Sequence, residues 1–237
     1  MQLIRRKARP TQAARPDQEM VDYLSKKEIV STPAGDVLFH SFCAPTDIQH
    51  YVLDDQFSAD GNYRSLYTKR ASLEKIAQRS GSNVVLAIEK HNCIIGFGTL
   101  DYPEPGERWA DMGPGVMMEL KAIEVCRRWR SCKIAPRIIK MMLDHPRLED
   151  MIIYLVGYSW TWDLEGTKMN AQDYRQMLIR LFETFDLKRY ETNEPNVCLK
   201  PENFLMSRIG NNISQMVRDR FKWLRFGLSP WTWKIDE

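Results

Sequence analysis

The chain has 237 residues, of which 34 are basic and 31 are acidic, giving a formal net charge of +3. This length allows one large domain or two small ones, and a hydrophobic content of 43% is ordinary for a globular protein. A charge of +3 is too small to indicate a nucleic-acid partner, and no apolar run approaches the roughly 20 residues that cross a bilayer. We therefore expect neither nucleic acid nor a membrane as a partner.

The five cysteines and four histidines are scattered, without a CxxC pair or a spacing typical of metal ligands. An odd number of cysteines in a chain of this size argues against a disulfide framework and indicates a reducing compartment. The sequence also begins without the apolar core of a secretory signal. We therefore expect a cytoplasmic protein with no metal site.

The beginning of the chain is basic. Residues 1–16 contain five basic residues, two prolines and no acidic residue. This composition is typical of a mobile tail, and an arginine-rich transit peptide is the alternative. We assign residues 1–30 to a basic, partly flexible arm and residues 31–237 to a single domain that ends in a helix. No internal repeat or change in composition divides that domain.

The predicted elements follow in the order strand, two helices, β-hairpin, strand, helix, strand, helix, two short strands and a last helix. Two β-rich runs separated by His91 and Asn92 are typical of a hairpin. The predicted strands cover residues 36–42, 83–90, 93–100, 118–125, 151–158, 187–191 and 203–208, and the predicted helices cover 45–57, 63–79, 135–144, 170–185 and 213–225. Hairpin strands crossed over by helices predict an α/β domain with a mixed central sheet flanked by helices.

A basic loop between the strand 118–125 and the helix 135–144 has the layout of a phosphate-binding loop. Pro136 suits the first helical turn, whose free amides and dipole attract anions. Arg130 and Lys133 add positive charge, and the loop backbone can add further amides. The loop contains no glycine, and a residue such as Lys133 is acceptable there if its φ is negative. Taken alone, the pattern fits an ordinary solvated connection as well as a diphosphate site.

The arrangement resembles the GCN-five-related N-acetyltransferases (GNAT), whose acetyl-CoA loop reads Gln/Arg-x-x-Gly-x-Gly/Ala. Arg130 and Ala135 match the outer positions of that loop, and Lys133 stands in place of the middle glycine. The stretches ERW, ELKAIEV, RSC, WTWDLEGT and FLMSRIG, which begin at residues 107, 119, 130, 160 and 204, are similar to the acetoin utilisation acetyltransferases. This similarity covers about residues 31–226, which is most of the chain.

The resemblance implies a GNAT-type fold and an enzyme that transfers acetyl from acetyl-CoA to a lysine of acetyl-CoA synthetase. It also implies that the diphosphate of acetyl-CoA lies on the basic loop, and that its pantetheine arm pairs with the preceding strand. The residues that would bind acetyl-CoA are Ile123, Val125, Arg130, Ser131, Cys132, Lys133, Ile134 and Ala135.

Glu119 is the candidate catalytic base. It lies on the strand before the loop, eleven residues before Arg130. The resemblance gives this spacing its meaning, because histone acetyltransferases of the superfamily place a glutamate base there. A base or a water relay is needed because the acceptor amine attacks only when it is neutral. A solvated or ion-paired strand glutamate is the alternative for Glu119, and Glu124 is the second choice as base.

The proton donor to the leaving thiol is less clearly indicated. The superfamily commonly supplies a tyrosine at a place where this chain has Phe182. Tyr158 and Tyr174 could substitute, or they could be structural residues. Trp160 and Asp163, which follow the strand 151–158, either shape the entrance for the acceptor lysine or pack under a loop.

Three functions remain compatible with the sequence. The first, which we expect, is acetylation of a lysine of acetyl-CoA synthetase. The second is acetylation of a small amine on the same fold, which would favour an acidic acceptor pocket, and the sequence shows no acidic cluster of that kind. The third is a non-catalytic module, either a CoA sensor or a nucleic-acid binder with a basic arm.

Overall fold

The computed structural model describes residues 24–58 and 65–228. The strands are β1 (Lys26–Thr32), β2 (Gly35–Ser41), β3 (Val52–Leu53), β4 (Asn83–Glu89), β5 (Cys93–Asp101), β6 (Met117–Val125), β7 (Ile152–Gly157), β8 (Lys188–Tyr190) and β9 (Phe204–Ile209). The helices are α1 (Pro45–Gln49), α2 (Asp55–Ser58), α3 (Arg70–Ala77), α4 (Ile134–Leu143), α5 (Leu164–Thr167), α6 (Ala171–Glu183), α7 (Pro195–Cys198) and α8 (Gln215–Leu224). None of these helices is long and apolar enough to span a bilayer.

The strands form one large sheet in the order β1-β2-β4-β5-β6-β7-β9-β8, and the short β3 pairs with β5. Neighbours along this order run antiparallel, except for β6 and β7, which run parallel. That parallel pair is in register over only three positions, from Met117 opposite Ile152 to Glu119 opposite Tyr154. Beyond these positions β6 and β7 separate, so the sheet opens into a cleft near its centre.

Helix α4 sets the position of the basic loop. Its apolar residues recur at helical spacing, and they pack onto β4, β5 and β6, with Ile138 and Met142 fully buried. The helix lies close to β5 because Gly98 has no side chain, and a Cβ at that position would collide with both of these residues. This close packing holds the N-terminus of α4 at the edge of the cleft.

Two cores lie on opposite faces of the sheet around β7. Side chains alternate along the strand, so Ile153 and Leu155 enter the larger core, whereas Ile152 and Tyr154 enter the smaller one. Helix α8 and the 3₁₀ turn Arg108–Met112 cover the smaller core. Its buried members are Trp109, Met112, Met117, Ile152, Tyr154, Leu205, Ile213 and Phe221.

The predicted α/β fold with a mixed sheet flanked by helices is confirmed, as is each predicted strand to within two residues at either end. The single helix predicted over 45–57 is wrong, since the chain forms α1, β3 and α2 in succession. Val52 and Leu53 leave the helical path to pair with β5, and local sequence contains no signal of such a distant partner.

The helix predicted over 63–79 is shorter in the structure, where α3 spans only Arg70–Ala77. Residues 59–64 lie outside the described residues. Ahead of α3 the Ser65 hydroxyl accepts a hydrogen bond from the Tyr67 amide at 3.2 Å and donates one to the Tyr67 carbonyl at 3.1 Å. Such local side-chain bonds compete with helix formation, which explains the late start of α3.

Strand β1 is not predicted by the sequence, and it begins inside the segment assigned to the basic arm. It pairs with β2 along its whole length, from Lys26 opposite Ser41 to Thr32 opposite Gly35. None of its side chains is buried, and Ile29 is 73% exposed. Its two large apolar residues, Ile29 and Val30, are adjacent, so the sequence lacks the apolar–polar alternation that indicates a half-buried strand. Residues 1–23 and 229–237 lie outside the described residues, and the division into arm and domain stays a prediction.

Candidate active site

The opening between β6 and β7 is a cleft of about 740 Å³. Residues 120–125 of β6 pair with β5 on one side and line the cleft. Because β7 is in register with β6 only up to Glu119, the second edge of this segment has no partner among the described strands. A ligand with amide groups can pair there as an added strand. Ile123 and Val125, both predicted to bind the pantetheine arm, line the cleft.

The basic loop at the edge of the cleft contains two residues with left-handed backbone, Ser131 at φ 64° and Lys133 at φ 58°. The requirement for a negative φ at Lys133 is therefore wrong. Lys133 is the N-cap of α4. At this residue the chain passes from the 3₁₀ turn Arg127–Trp129 into the helix. This loop thus adopts, at the position of the family's middle glycine, a conformation that glycine usually occupies.

The predicted diphosphate site is partly assembled by this backbone. Ile134 and Ala135 begin α4, so their amides have no intrahelical acceptor, and neither donates a hydrogen bond to another described residue. Both line the cleft, as do Ser131 and Lys133, whose side chains are exposed. Cys132 is the exception, because it does not line the cleft and packs against the larger core.

Asp163, in the WTWDLEGT segment, holds the basic loop through contacts with two of its arginines, and we call this arrangement the brace. Its carboxylate accepts hydrogen bonds from Arg127 Nε at 2.9 Å and Nη2 at 2.6 Å, and it pairs with Arg130 Nη2 at 2.7 Å. The Arg127 guanidinium, more than any other neighbour, lowers the pKa of Asp163 to about 2. Arg130 lines the cleft, and its Nη1 is buried without a hydrogen-bond partner among the described residues. The sequence did not indicate this brace.

Glu119 occupies the last paired position of β6, opposite Tyr154, where the sheet opens. Burial raises the pKa of this carboxyl to about 7, and the negative charge of Glu107 raises it further, while Lys121 opposes the rise. A pKa near neutrality suits a general base. Glu124, the second choice, is buried and accepts a hydrogen bond from the Leu66 amide at 2.8 Å.

A second cavity of about 400 Å³ lies beside the cleft. Glu107, Glu119 and Glu194 all line it, and Val156 and Tyr158 line both cavities, so the two meet at the end of β7. The expectation that the chain has no acidic cluster is therefore wrong. The three carboxylates come from distant segments of the chain, and only the fold brings them together.

Tyr158 is the better placed of the two candidate proton donors, because it lies where the cavities meet. Burial, followed by the charge of Glu194, raises the pKa of its hydroxyl to about 12, so it stays protonated at neutral pH. Tyr174 lines the cleft and stacks on Trp162 with ring centroids 5.3 Å apart. Phe182, in the place of the usual tyrosine, also lines the cleft but has no proton to give.

The cysteines offer no covalent alternative. All five are free, and burial raises the pKa of the fully buried Cys126, which keeps it from forming a thiolate nucleophile. Over residues 24–58 and 65–228, no group of three or more His, Cys, Asp or Glu side chains is arranged to hold a metal ion.

Known proteins resemble the chain over most of its length, although no protein family model matches it. It is 30% identical over 197 residues to the acetoin utilization protein AcuA of Bacillus licheniformis, which covers 83% of this chain and 92% of that protein. It is 29% identical to AcuA of Bacillus subtilis over 197 residues, with the same coverage.

Solved structures agree with these relatives. The crystal structure of an acetoin utilization protein from Exiguobacterium sibiricum has a TM-score of 0.78 and 28% identity, covering 86% of this chain and 94% of that one. The GNAT domain of S. lividans PAT is only 11% identical, with a TM-score of 0.50 over 77% of this chain and 96% of that one, and it shares the fold alone. The chain therefore belongs to the family of the acetoin utilization protein AcuA and has the fold of a GNAT domain.

Proposed function

We propose that this protein transfers acetyl from acetyl-CoA to a lysine side chain, and that the acceptor protein is acetyl-CoA synthetase. One observation carries the proposal. Glu119, a carboxyl with a pKa of about 7, lines a second cavity that can admit an amine, and that cavity meets the cleft that suits acetyl-CoA at Val156 and Tyr158. The choice of synthetase rests on the similarity of WTWDLEGT and FLMSRIG to the acetoin utilisation acetyltransferases. We place the reaction in the cytoplasm, where we expect both substrates.

The cleft supports acetyl-CoA as the acetyl donor. The free amides of Ile134 and Ala135, the dipole of α4 and the buried Nη1 of Arg130 would hold the diphosphate. The unpaired edge of β6 at Ile123 and Val125 would hold the pantetheine arm. This arrangement would direct the thioester toward the end of β7, where the two cavities meet.

The amine must lose a proton before it attacks. At about pH 7.4 roughly one lysine in a thousand is neutral, a cost of about 4 kcal/mol. Glu119 accepts this proton, directly or through a water molecule, as the nitrogen forms its bond to the acetyl carbon. The carbon–sulfur bond then breaks, and the CoA thiolate takes a proton from Tyr158 or from water. A thiol pKa of about 8.5 makes the thiolate a tolerable leaving group in either case.

The direct test is incubation of the protein with acetyl-CoA and purified acetyl-CoA synthetase, followed by mass spectrometric mapping of acetylated lysines. We expect one or a few labelled lysines, and we expect the label to disappear with the Glu119→Gln variant. Absence of label on the synthetase, together with rapid turnover of a free amine, would overturn the assignment of the acceptor.

Acetylation of a free small amine is the second candidate. One observation favours it, namely the acidic lining of the second cavity by Glu107, Glu119 and Glu194. Steady-state turnover of polyamines and amino compounds, measured beside the synthetase, separates the two functions. A kcat/KM for a free amine well above that for the synthetase would favour the second candidate.

A further inference from the structure

The second cavity has an excess of negative charge on its walls. Its lining contains three carboxylates and one basic residue, Arg108. The guanidinium of Arg108 donates to Asn193 Oδ1 at 2.7 Å and to the Arg225 carbonyl at 3.0 Å, so it is held against the end of α8. Within the described residues, no salt bridge neutralises any of the three carboxylates of the cavity.

Glu107 and Glu194, which we call the rim carboxylates, retain capacity to bind a cation. Glu107 accepts a hydrogen bond through Oε2 from the Glu104 amide at 2.9 Å. Glu194 accepts one through Oε1 from Asn196 at 3.0 Å, while its Oε2 is buried and has no hydrogen-bond partner among the described residues. A buried, unpartnered carboxylate oxygen is costly unless a ligand or water satisfies it.

Tyr154 lies behind Glu119 on the side of β7 that faces the second cavity. Side chains alternate along β7, so Tyr154 faces the same side as Val156 and Tyr158, which line the cavity. Tyr154 is fully buried opposite Glu119, and its hydroxyl interacts with the carboxyl of that residue. Burial, and then the charges of Glu119 and Glu107, raise the pKa of this hydroxyl, so it stays protonated beside the Glu119 carboxyl.

We propose that Glu107 and Glu194 are positioning residues that hold the ammonium group of the acceptor in the second cavity. The ammonium would contact Glu107 and Glu194 and then Glu119, which lines the same cavity and takes its proton. This inference rests on the proposed acetyl transfer and adds the residues that position the acceptor.

Glu107 has two separable effects under this proposal. Its charge attracts the ammonium, so its removal raises KM for the acceptor. Its charge also raises the pKa of Glu119, so its removal shifts the acid limb of the pH–rate profile to lower pH. A residue with only a structural role would not produce this pair of changes.

The test compares two double variants that each remove two negative charges. Glu107→Gln with Glu194→Gln neutralises the rim, whereas Asp111→Asn with Glu191→Gln neutralises exposed carboxylates that do not line the cavity. With a lysine peptide as acceptor, we expect the rim variant to raise KM about tenfold, with a smaller change in kcat. The acid limb of the pH–rate profile of the rim variant should also move to lower pH. The control variant keeps the wild-type KM and pH profile.

A binding measurement makes the test independent of turnover. Nα-acetyl-lysine amide and its neutral counterpart Nα-acetyl-norleucine amide are titrated into the CoA-loaded protein and followed by saturation-transfer NMR. We expect wild type to prefer the lysine compound, and the rim variant to lose that preference while it remains folded by thermal denaturation.

The outcomes separate this inference from the proposed function. Acetylation of a protein lysine with an unchanged KM in the rim variant overturns the inference and leaves the function standing. Turnover of free amines alone overturns the function, and a raised KM for those amines in the rim variant still supports the cation cavity. Equal binding of the lysine and norleucine compounds to wild type overturns the inference whatever the turnover.

Discussion

The carboxyl group of Glu119 can be either charged or neutral near physiological pH, because burial raises its pKa to about 7. A carboxylate with an ordinary pKa would be a much weaker base toward an ammonium ion. Its position at the last paired residue of β6 brings this basicity to the point where the sheet opens. The role proposed for Glu119 therefore depends on the position at which the pairing of β6 with β7 ends.

Replacement of Glu119 by glutamine should lower kcat by about 10²–10⁴, because proton removal from the amine loses its acceptor. Acetyl-CoA affinity should be unchanged in this variant. In wild type, kcat/KM should rise with pH through a step near pH 7, since the base acts only when deprotonated and its pKa is about 7. Steady-state rates over a pH series test both points, and full activity in the variant would contradict the assignment.

Glu119 could be chosen as a candidate base from the sequence, because the resemblance gives meaning to its distance from the basic loop. Glu107 and Glu194 could not, because they meet Glu119 only after β7 and α7 are in place. Asp163 could be seen in the sequence, but its partners Arg127 and Arg130 lie more than thirty residues away. Pairings of this kind depend on tertiary structure, which residue patterns do not encode.

The junction between the basic loop and α4 shows how an element can keep a backbone conformation without its usual residue. Lys133 takes a left-handed conformation that disfavours a side chain by about 1–2 kcal/mol. The packing of α4 against Gly98 holds the helix in place and so maintains this turn. The absence of glycine in the loop is thus a cost to stability rather than a loss of the anion-binding geometry.

Lysine-to-glycine changes at two positions of this element should differ in effect. Lys133→Gly relieves the left-handed conformation, and this gain offsets the greater freedom of glycine in the unfolded chain, so stability should not fall. Lys140→Gly, at an exposed position within α4, should cost about 0.5–1 kcal/mol. Urea denaturation of both variants measures the difference. A larger loss at Lys133 than at Lys140 would contradict this account.

Two arginines of the same loop should differ in their effect on acetyl-CoA affinity. Arg130 lines the cleft, whereas Arg128 does not and pairs with Asp54 at 2.7 Å. Arg130→Gln should therefore weaken acetyl-CoA binding several-fold, and Arg128→Gln, with the same change in charge, should leave it unchanged. Calorimetric titration of folded variants checks this. Equal affinities in the two variants would remove Arg130 from the diphosphate site.

The brace from Asp163 to the loop should contribute to stability above about pH 4. The pKa of Asp163 is lowered from 3.8 to about 2. The stabilisation is therefore present when this carboxyl is charged, and it is lost as the pH falls from about 4 toward 2. Asp163→Asn should cost about 1–3 kcal/mol at neutral pH, and the difference from wild type should shrink in acid.

The matched control for Asp163 is Asp144→Asn, which removes the pair with Lys26, where both side chains are more than half exposed. Such a pair should contribute less than about 1 kcal/mol. Denaturant unfolding at pH 7 and in acid compares the two variants. Equal costs in both variants would show that the loop does not depend on its brace.

For the molecule as a whole, the central feature is that two cavities meet at Val156 and Tyr158. Separate cavities allow donor and acceptor to be bound at the same time. We therefore expect a ternary complex, with intersecting lines in double-reciprocal plots when both substrates are varied. Parallel lines would instead indicate an acetylated enzyme intermediate and would contradict direct transfer.

The architecture could be predicted from the sequence because periodic apolar segments and the hairpin at His91 and Asn92 are local signals. The extent of pairing between β6 and β7 could not be predicted, since both strands read as ordinary apolar runs. Strand β1 could not be predicted for a related reason, because Ile29 and Val30 are adjacent and its sequence lacks the alternation of apolar and polar residues. The unpredicted parts are those where one segment of the sheet depends on another.

Three residue pairs join β6 to β7, and they are the whole of the registered pairing between these two central strands. A ligand that paired with β6 and reached β7 would bind the folded protein and not the unfolded chain. At about a hundredfold excess over its Kd, such a ligand adds about 2.7 kcal/mol to the free energy of unfolding. If acetyl-CoA is that ligand, resistance to proteolysis would rise and fall with its supply, and the abundance of the protein would follow its own co-substrate.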